Sequence, residues 1–87
     1  MKKFNTVVHM PLGLHARPAN RLIKTALQFK SSIQIIKGDK EADGKRLLSV
    51  MALGVKQGDE ITVIAEGVDE AEAIHAIRKL FYDNFGE

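Results

Sequence analysis

The segment EITVIAE (Glu60–Glu66) alternates in the way that a half-buried β-strand requires. Ile61, Val63 and Ala65 share one face, and Thr62 lies on the other. Because successive side chains of a strand point to opposite faces of its sheet, this period of two predicts a strand with one apolar face against the core.

Outward from this strand, three more segments predict strands. Lys3–His9 also alternates and is closed by Pro11. Ile33–Lys37 is rich in β-branched residues and is followed by a turn signal at Gly38. Residues 40–43 are short and polar, which favours an edge strand. The chain therefore predicts a sheet of four strands.

Three segments have apolar side chains at helical spacing: Ala16–Phe29, Lys45–Leu53, and a segment that begins after Asp69. Glu72 follows Asp69 by three residues, as in a capping box with aspartate in the serine position. The apolar stripe of the first helix consists of Ala19, Leu22, Ile23, Ala26 and Leu27. That of the third helix consists of Ile74, Ile77, Leu80, Phe81 and Phe85.

The element order β-α-β-β-α-β-α predicts an α+β fold with the helices on one face of the sheet and solvent on the other. The middle helix is more apolar than such packing needs. At about 100° per residue its apolar side chains cover roughly 220° of the circumference, against a core-facing stripe of about 100°. Some of them should therefore face water or a partner. They are Leu47, Leu48, Val50, Met51 and Leu53.

The chain has 87 residues, of which 45% are hydrophobic and 28% charged, and this predicts one folded domain over residues 1–87. It contains no cysteine, which excludes a disulfide framework and favours a reducing, cytoplasmic location. Its net charge of +2 is dispersed along the sequence, which does not favour nucleic-acid binding. No apolar run is long enough for membrane insertion or for an export signal.

Common catalytic and cofactor motifs are missing from the sequence, including the phosphate-binding P-loop, the dinucleotide-binding glycine pattern and the nucleophile elbow of hydrolases. His9, His15 and His75 lack the spacing of a helical metal-binding pair, and no cysteine joins them. The acidic residues around Asp59 and Asp69 fit a turn and a helix start. The sequence therefore predicts neither a cofactor nor a metal.

One motif combines residues suited to phosphate chemistry. The stretch GLHARPA (Gly13–Ala19) places His15 where a strand gives way to a helix, with Pro18 in the first turn. Free amides and the positive end of the helix dipole favour an anion there, and a guanidinium such as that of Arg17 binds phosphate through several donors. Taken alone, a histidine at a helix start is more often a plain cap or loop residue. We keep that simpler interpretation for His9 and His75.

The Gly13–Ala19 motif resembles the active-site motif of the HPr family, the histidine phosphocarriers of the bacterial phosphotransferase system. Residues 42–54 are similar to the second helix of that family, and residues 58–61 and 69–73 resemble its later segments. The resemblance covers essentially the whole chain without an insertion. It implies an open-faced β-sandwich, in which a four-stranded antiparallel sheet carries three helices on one face, and a monomer as the usual form.

The resemblance also implies a function. His15 would accept a phosphoryl group from enzyme I and pass it to IIA domains of sugar permeases. The amides of Ala16 and Arg17, with the Arg17 guanidinium, would hold the phosphate. Such a protein is a stoichiometric carrier with a phosphohistidine intermediate and not an enzyme. Transcriptional regulators are a further class of partner, and the implied partner surface comprises Asn20, Arg46, Leu47, Leu48 and Met51.

One position departs from the family pattern. In many Gram-positive members a serine phosphorylated by an ATP-dependent kinase follows the aspartate, glycine and lysine that match Asp43, Gly44 and Lys45, and here that position is Arg46. Ser49 lies three residues later and does not correspond to it. We therefore expect no regulation by that kinase, while the carrier function assigned to His15 is unaffected.

Two other interpretations stay open on the sequence alone. One is a paralogue of the same fold that acts mainly as a regulator, in a nitrogen-linked branch or in catabolite control. The other is a small nucleic-acid-binding module, suggested by the basic pI of about 9.0 and an open sheet face. With four phenylalanines and one tyrosine, most of them at core-like spacing, the chain lacks the interleaved aromatic platform that such a module uses.

Overall fold

A computed structural model describes residues 1–86 and contains four strands, three α-helices and a short 3-10 helix. None of the helices within these residues is long and apolar enough to cross a bilayer. The elements are β1 (Lys2–Val7), α1 (Ala16–Ala26), β2 (Ser32–Lys37), β3 (Lys40–Asp43), α2 (Leu47–Ala52), β4 (Glu60–Glu66), α3 (Glu70–Tyr82) and the 3-10 helix (Asn84–Gly86).

The strands form one sheet in the order β1-β4-β2-β3, and every neighbouring pair is antiparallel. The alternation of β4 is confirmed: Ile61, Val63 and Ala65 are buried. On the opposite, open face Thr62 Oγ1 lies 2.7 Å from Asn5 Oδ1 on β1, and the two residues are register partners. The α+β class and the element order predicted from the sequence are therefore confirmed.

The core lies between the sheet and the helices. Leu22 of α1 and Ile77 of α3 are fully buried above the strands. Three aromatic rings close one end, with Phe81 edge-on to Phe4 at 6.2 Å and to Phe85 at 4.8 Å between ring centroids. This geometry is the one that aromatic pairs prefer, so it fixes α3 and the C-terminal turn against β1.

Helix α1 ends earlier than the sequence predicts. It stops at Ala26 and not at Phe29, because Gln28 N donates to Thr25 O and Phe29 N to Ala26 O, each three residues back, in a tightened last turn. Leu27, which the helical stripe placed in the core, is 61% exposed. That part of the prediction is wrong, since Leu27 is the C-cap residue, at which the regular helix ends.

Helix α2 begins later than predicted, at Leu47 and not at Lys45. The cause is a turn centred on Asp43, whose carboxylate accepts a hydrogen bond from Lys45 N at 2.9 Å and whose carbonyl accepts one from Arg46 N at 3.0 Å. An aspartate that binds the backbone two residues on forms an Asx-turn and holds the chain out of the helix. Arg46 is consequently the N-cap residue of α2.

The capping box predicted at the start of α3 is also wrong. Asp69 is the N-cap residue but makes no side-chain bond to its own helix. Its carboxylate accepts hydrogen bonds from Lys30 N at 2.8 Å, from Ser31 N at 2.9 Å and from Ser31 Oγ. The bonds from the Ser31 hydroxyl and then the Lys30 amide lower the pKa of Asp69 to about 2. Glu70 Oε1 accepts from Gly67 N instead, at 3.1 Å.

Candidate functional site

The loop before α1 is held by a close approach of two chain segments. Gly13 has φ +67°, and a Cβ at this position would lie 2.3 Å from Val55 O. Leu14 N donates to that same carbonyl at 3.1 Å, and the Leu14 side chain is buried. Glycine is required here for both its conformation and its lack of a side chain. The backbone that precedes His15 is thereby pressed against the segment that joins α2 to β4.

That joining segment is fixed in turn by a pair of charged side chains. Lys37 Nζ donates to Gly54 O at 2.9 Å and lies 3.1 Å from Asp59 Oδ2. Asp59 also accepts a hydrogen bond from Lys56 N at 2.8 Å. The bond from the Lys56 amide, followed by that from Lys37, lowers the pKa of Asp59. The support beneath the His15 loop is therefore built from β2, α2 and the turn before β4.

His15 is the N-cap residue of α1. Its backbone is extended, at φ −82° and ψ −171°, its carbonyl accepts Ala19 N at 2.9 Å, and its side chain makes no capping bond. The ring is half-buried. Pro18, in the first turn, has no amide hydrogen and is buried. The donors that this helix end offers beside the ring are thus the amides of Ala16 and Arg17.

Arg17 lies at the second helical position with an exposed side chain. Two backbone amides and the positive end of an 11-residue helix therefore lie next to His15. Arg17 adds a cation two residues further on, so the predicted residues His15, Ala16 and Arg17 follow one another at this helix start. Such a combination favours an anionic group bound next to the ring.

The other two histidines lie in different surroundings. His9 follows β1 and is exposed, and its carbonyl accepts a hydrogen bond from Gln57 Nε2 at 3.1 Å. His75 is exposed in the middle of α3. Neither is at a helix start, where anion-binding amides are available. Of the three histidines, His15 is the one at a helix N-terminus.

An exposed apolar surface accompanies the His15 region. In α2, Leu48 is 82% exposed and Met51 is 40% exposed, while Leu47 is half-buried and packs against the core. Val50, on the opposite side of α2, and Leu53, the C-cap residue after it, are buried. The sequence prediction that this helix carries surplus apolar residues is thus confirmed for Leu48 and Met51.

The remaining residues of the predicted partner surface are polar. Asn20 is exposed in α1, one turn after Ala16. Arg46 is exposed at the start of α2, where its Nε lies 3.7 Å from Asp43 Oδ2. An exposed pair at that distance contributes little to stability. The guanidinium is therefore available for other contacts.

Two residues near this site were not predicted from the sequence, namely Leu12 and Lys45. Leu12 is 75% exposed in the turn before His15, and an apolar residue between Pro11 and Gly13 was the signal for it. Lys45 Nζ donates to Phe29 O at 2.8 Å, which ties the start of α2 to the loop after α1. No pattern in the local sequence marks this long-range bond.

Comparison with known proteins places this geometry in a family context. The family model described as the PTS HPr component phosphorylation site matches residues 2–83. The phosphocarrier protein HPr of Mycoplasma capricolum is 43% identical over 83 residues, which are 95% of this chain and 93% of that protein. The crystal structure of HPr-C-His from Thermoanaerobacter tengcongensis superposes with a TM-score of 0.96 at 41% identity, covering 100% of this chain and 98% of that one.

A relative of different size is also similar. The phosphoryl donor subunit DhaM of the PEP-dependent dihydroxyacetone kinase of Providencia stuartii is 43% identical over 81 residues. These residues are 93% of this chain but 17% of that protein, so this fold also occurs as one part of a larger polypeptide. Neither the geometry nor these relatives favour the regulatory or the nucleic-acid-binding alternative.

Proposed function

Because the chain belongs to the HPr family and is a phosphocarrier of the phosphotransferase system, we propose that His15 is the residue that carries the phosphoryl group. A single observation carries this assignment. His15 is the histidine at a helix N-terminus, where the amides of Ala16 and Arg17 begin the helix and Arg17 supplies an exposed cation two residues on. His9 and His75 have no comparable set of donors around them.

Transfer requires one bond to form as another breaks. A lone pair on Nδ1 of the neutral His15 ring attacks phosphorus, the N–P bond forms, and the bond between phosphorus and the donor breaks. The ring keeps its proton on Nε2. The added negative charge falls at the start of α1, where amides and the helix dipole stabilise it before and after transfer. Because these donors are fixed in advance, the protein need only present the ring to each partner in turn.

Partners of two kinds fit this chemistry. We propose enzyme I as the donor and IIA domains of sugar permeases as acceptors, since a carrier must meet both at the same ring. Transcriptional regulators form a third class that a surface around His15 could engage. The protein itself turns over no substrate and so acts as a stoichiometric carrier, expected as a monomer in the cytoplasm.

The exposed apolar side chains define where these partners bind. Leu12, Leu48 and Met51 are exposed on the elements that flank His15, and Leu47 lies beside them at half burial. Asn20 and Arg46 add polar contacts at the edge of this apolar surface. A small apolar centre with a polar rim is the usual composition of a transient interface.

The test is phosphorylation by phosphoenolpyruvate and enzyme I, followed by acid and alkali treatment of the product. The chain should take up one acid-labile, alkali-stable phosphoryl group, and His15→Ala should take up none. His9→Ala and His75→Ala are matched controls, because both remove an exposed imidazole, and both should be labelled normally. Label that persists in His15→Ala and disappears in either control would overturn the assignment.

A further inference from the structure

A second surface lies beside β1, away from His15. Two depressions, of about 390 Å³ and 330 Å³, run along the outer side of β1 where α3 overhangs it. We call them together the β1–α3 groove. Arg78 lines both depressions and lies over the Phe4 ring, with 5.2 Å from its guanidinium carbon to the ring centroid. The groove is also lined by Lys2, Lys3, Thr6, His75 and Tyr82.

The groove is positively charged. Lys2, Lys3 and Arg78 line it. Glu70 interacts with Lys2, but its carboxylate is bound to the amino group of Met1 at 2.8 Å, and that bond is the main reason that the pKa of Glu70 is lowered. Within residues 1–86 no carboxylate lines either depression. An acidic ligand would find three complementary charges there.

The groove also borders an open backbone edge. Val8 N donates to Asp59 O at 2.9 Å and Val8 O accepts from Gly58 N at 2.8 Å, so the peptide groups of residue 8 face β4. Along a strand these groups alternate between its two sides, so those of residues 2, 4 and 6 face β4 as well. The amides and carbonyls of Lys3, Asn5 and Val7 point outward from the sheet, where the order of strands within residues 1–86 leaves β1 at the edge.

We propose that the β1–α3 groove binds an acidic, extended segment of a partner protein, which adds to β1 as an antiparallel strand. Its backbone would bond to the outward groups of Lys3, Asn5 and Val7. Side chains on one face of the added strand would lie opposite Lys2 and Thr6 and beside Arg78. Acidic residues at those alternate positions would then meet the cations of the groove.

Other occupants fit this groove less well. Nucleic acid needs aromatic platforms for stacking, and the groove offers one exposed ring, that of Tyr82. A second copy of β1 would bring its own Lys2 and Lys3 to a basic surface. The other edge strand, β3, carries Glu41 and Asp43 and would repel an acidic segment. The charge of the β1 edge and its hydrogen-bonding groups therefore select an acidic peptide.

This surface is separate from the phosphocarrier site. Lys2 is the first residue of β1, and the His15 loop follows its last residue. The strand has six residues and rises about 3.3 Å per residue. Binding at the groove should therefore leave phosphorylation of His15 unchanged. A carrier could then be held by one surface while it transfers a phosphoryl group at the other.

The experiment uses three synthetic peptides and the full-length protein. The first probe is an eight-residue peptide of alternating glutamate and valine with blocked ends. In the proposed register its valines lie opposite Lys3, Asn5 and Val7 and make the backbone bonds, while its glutamates face the groove. N-methylation of the valine amides should therefore abolish binding, and N-methylation of the glutamate amides should leave it unchanged. Backbone amide NMR signals of β1 report the binding in each titration.

Charge is tested with a matched pair of protein variants. Lys2→Glu and Lys40→Glu make the same change on exposed residues of the two edge strands. Lys2→Glu should weaken binding of the unmethylated peptide roughly threefold to tenfold, the size expected from a cross-strand charge pair with a peptide glutamate, and Lys40→Glu should not. Both variants should accept phosphoryl groups from enzyme I at the normal rate.

Three results would overturn the proposal. Equal binding of all three peptides would show charge attraction without strand addition. No binding at low salt would show that the lysines only guard an exposed edge, as they do in many sheets. Tighter binding of single-stranded DNA than of the peptide, lost in Lys2→Glu but not in Lys40→Glu, would assign the groove to a nucleic acid.

Discussion

The N-termini of α1 and α3 are built alike and used differently. His15 and Asp69 are their N-cap residues, and neither makes a side-chain capping bond to its own helix. Asp69 accepts bonds from Lys30 and Ser31 and so ties α3 to the start of β2. His15 stands beside two amides and Arg17. One helix start is closed by a permanent contact, and the other is arranged to hold an anion.

This difference shows why the two ends should respond to mutation in opposite ways. A contact that exists in every state of the protein contributes to stability. A contact that forms with the phosphoryl group contributes to transfer and leaves stability almost unchanged. Substitutions at the two helix starts can therefore separate effects on phosphotransfer from effects on stability.

Arg17→Ala should give the largest functional effect. Losing one charge-assisted contact to phosphate is worth about 1.5 to 3 kcal/mol, which corresponds to phosphotransfer slowed by roughly tenfold to 150-fold. Because Arg17 is exposed, the melting temperature should not change. Single-turnover transfer from phosphorylated enzyme I measures the effect. The rate for Arg17→Lys should lie between those of the unaltered protein and Arg17→Ala. Unchanged kinetics in Arg17→Ala would remove this residue from the phosphate site.

Gly13→Ala should damage both stability and transfer. Gly38→Ala is a matched control. Gly38 also has a left-handed backbone, at φ +60°, but a Cβ there would have no atom within 4 Å. Gly38→Ala should lower the free energy of unfolding by about 1 kcal/mol from the left-handed conformation alone. Gly13→Ala adds the clash with Val55 O and should lose at least about 1 kcal/mol more. Urea denaturation of both variants gives this difference, and equal losses would show that the loop can move away from residue 55.

Leu48 and Val50 give a comparison within one helix. Leu48→Ala should weaken binding of enzyme I with little change in stability, because the side chain is exposed. Val50→Ala should lower the free energy of unfolding by roughly 2 kcal/mol, from two buried methyl groups and the cavity left behind. Titration calorimetry and thermal melts on both variants test this. The reverse pattern would assign Leu48 to the core and not to the partner surface.

The pH dependence of stability should be traceable to Asp69. Its pKa is about 2 in the folded protein, below the ordinary value of 3.8, so folding favours the ionised form. This contribution is present in full above about pH 4 and is lost as the pH falls towards 2. Asp69→Asn should lower the melting temperature at pH 7 and flatten its decline between pH 4 and 2. Ser31→Ala should flatten it in part, and neither variant should slow phosphotransfer.

Much of this architecture could be predicted from the sequence because it depends on local patterns. The alternation of Ile61, Val63 and Ala65 and the helical spacing of Leu22 and Ile77 reflect periods that the backbone imposes. The Gly13–Ala19 motif is equally local, since the helix start itself supplies the amides. These features need no knowledge of which distant segments meet.

The wrong capping box and the missed contacts have one physical source, which is competition from long-range contacts, whereas the shifted ends of α1 and α2 follow from local turns. Asp69 has the sequence pattern of a capping residue, but the neighbouring loop offers its carboxylate three donors at once. The role of Lys45 in binding Phe29 O and that of Val55 in seating Gly13 also join segments far apart in the chain. Such contacts follow from the assembled fold and leave no periodic signal.

The smallest expected effect is at the start of α2. The Arg46 side chain makes no capping bond there, and its ion pair with Asp43 is weak. Its backbone, at φ −121° and ψ 112°, is already that of a capping residue. Arg46→Ser should therefore add a capping bond worth about 1 kcal/mol and also remove a cation from the positive end of the helix. Chemical denaturation should show higher stability, with Arg46→Ala as the control for removing the charge alone.

The same variant bears on regulation. By resemblance to the family, a serine at position 46 should become a substrate of the ATP-dependent kinase, and the unaltered chain should not. A phosphate there would place about two negative charges beside the exposed Leu48, where desolvation and repulsion oppose a partner. Enzyme I should therefore bind the phosphorylated Arg46→Ser variant more weakly than the unphosphorylated one. Kinase-dependent serine phosphorylation of the unaltered chain would show that the kinase does act on this protein. Lower stability of Arg46→Ser would show that a serine at position 46 does not cap α2.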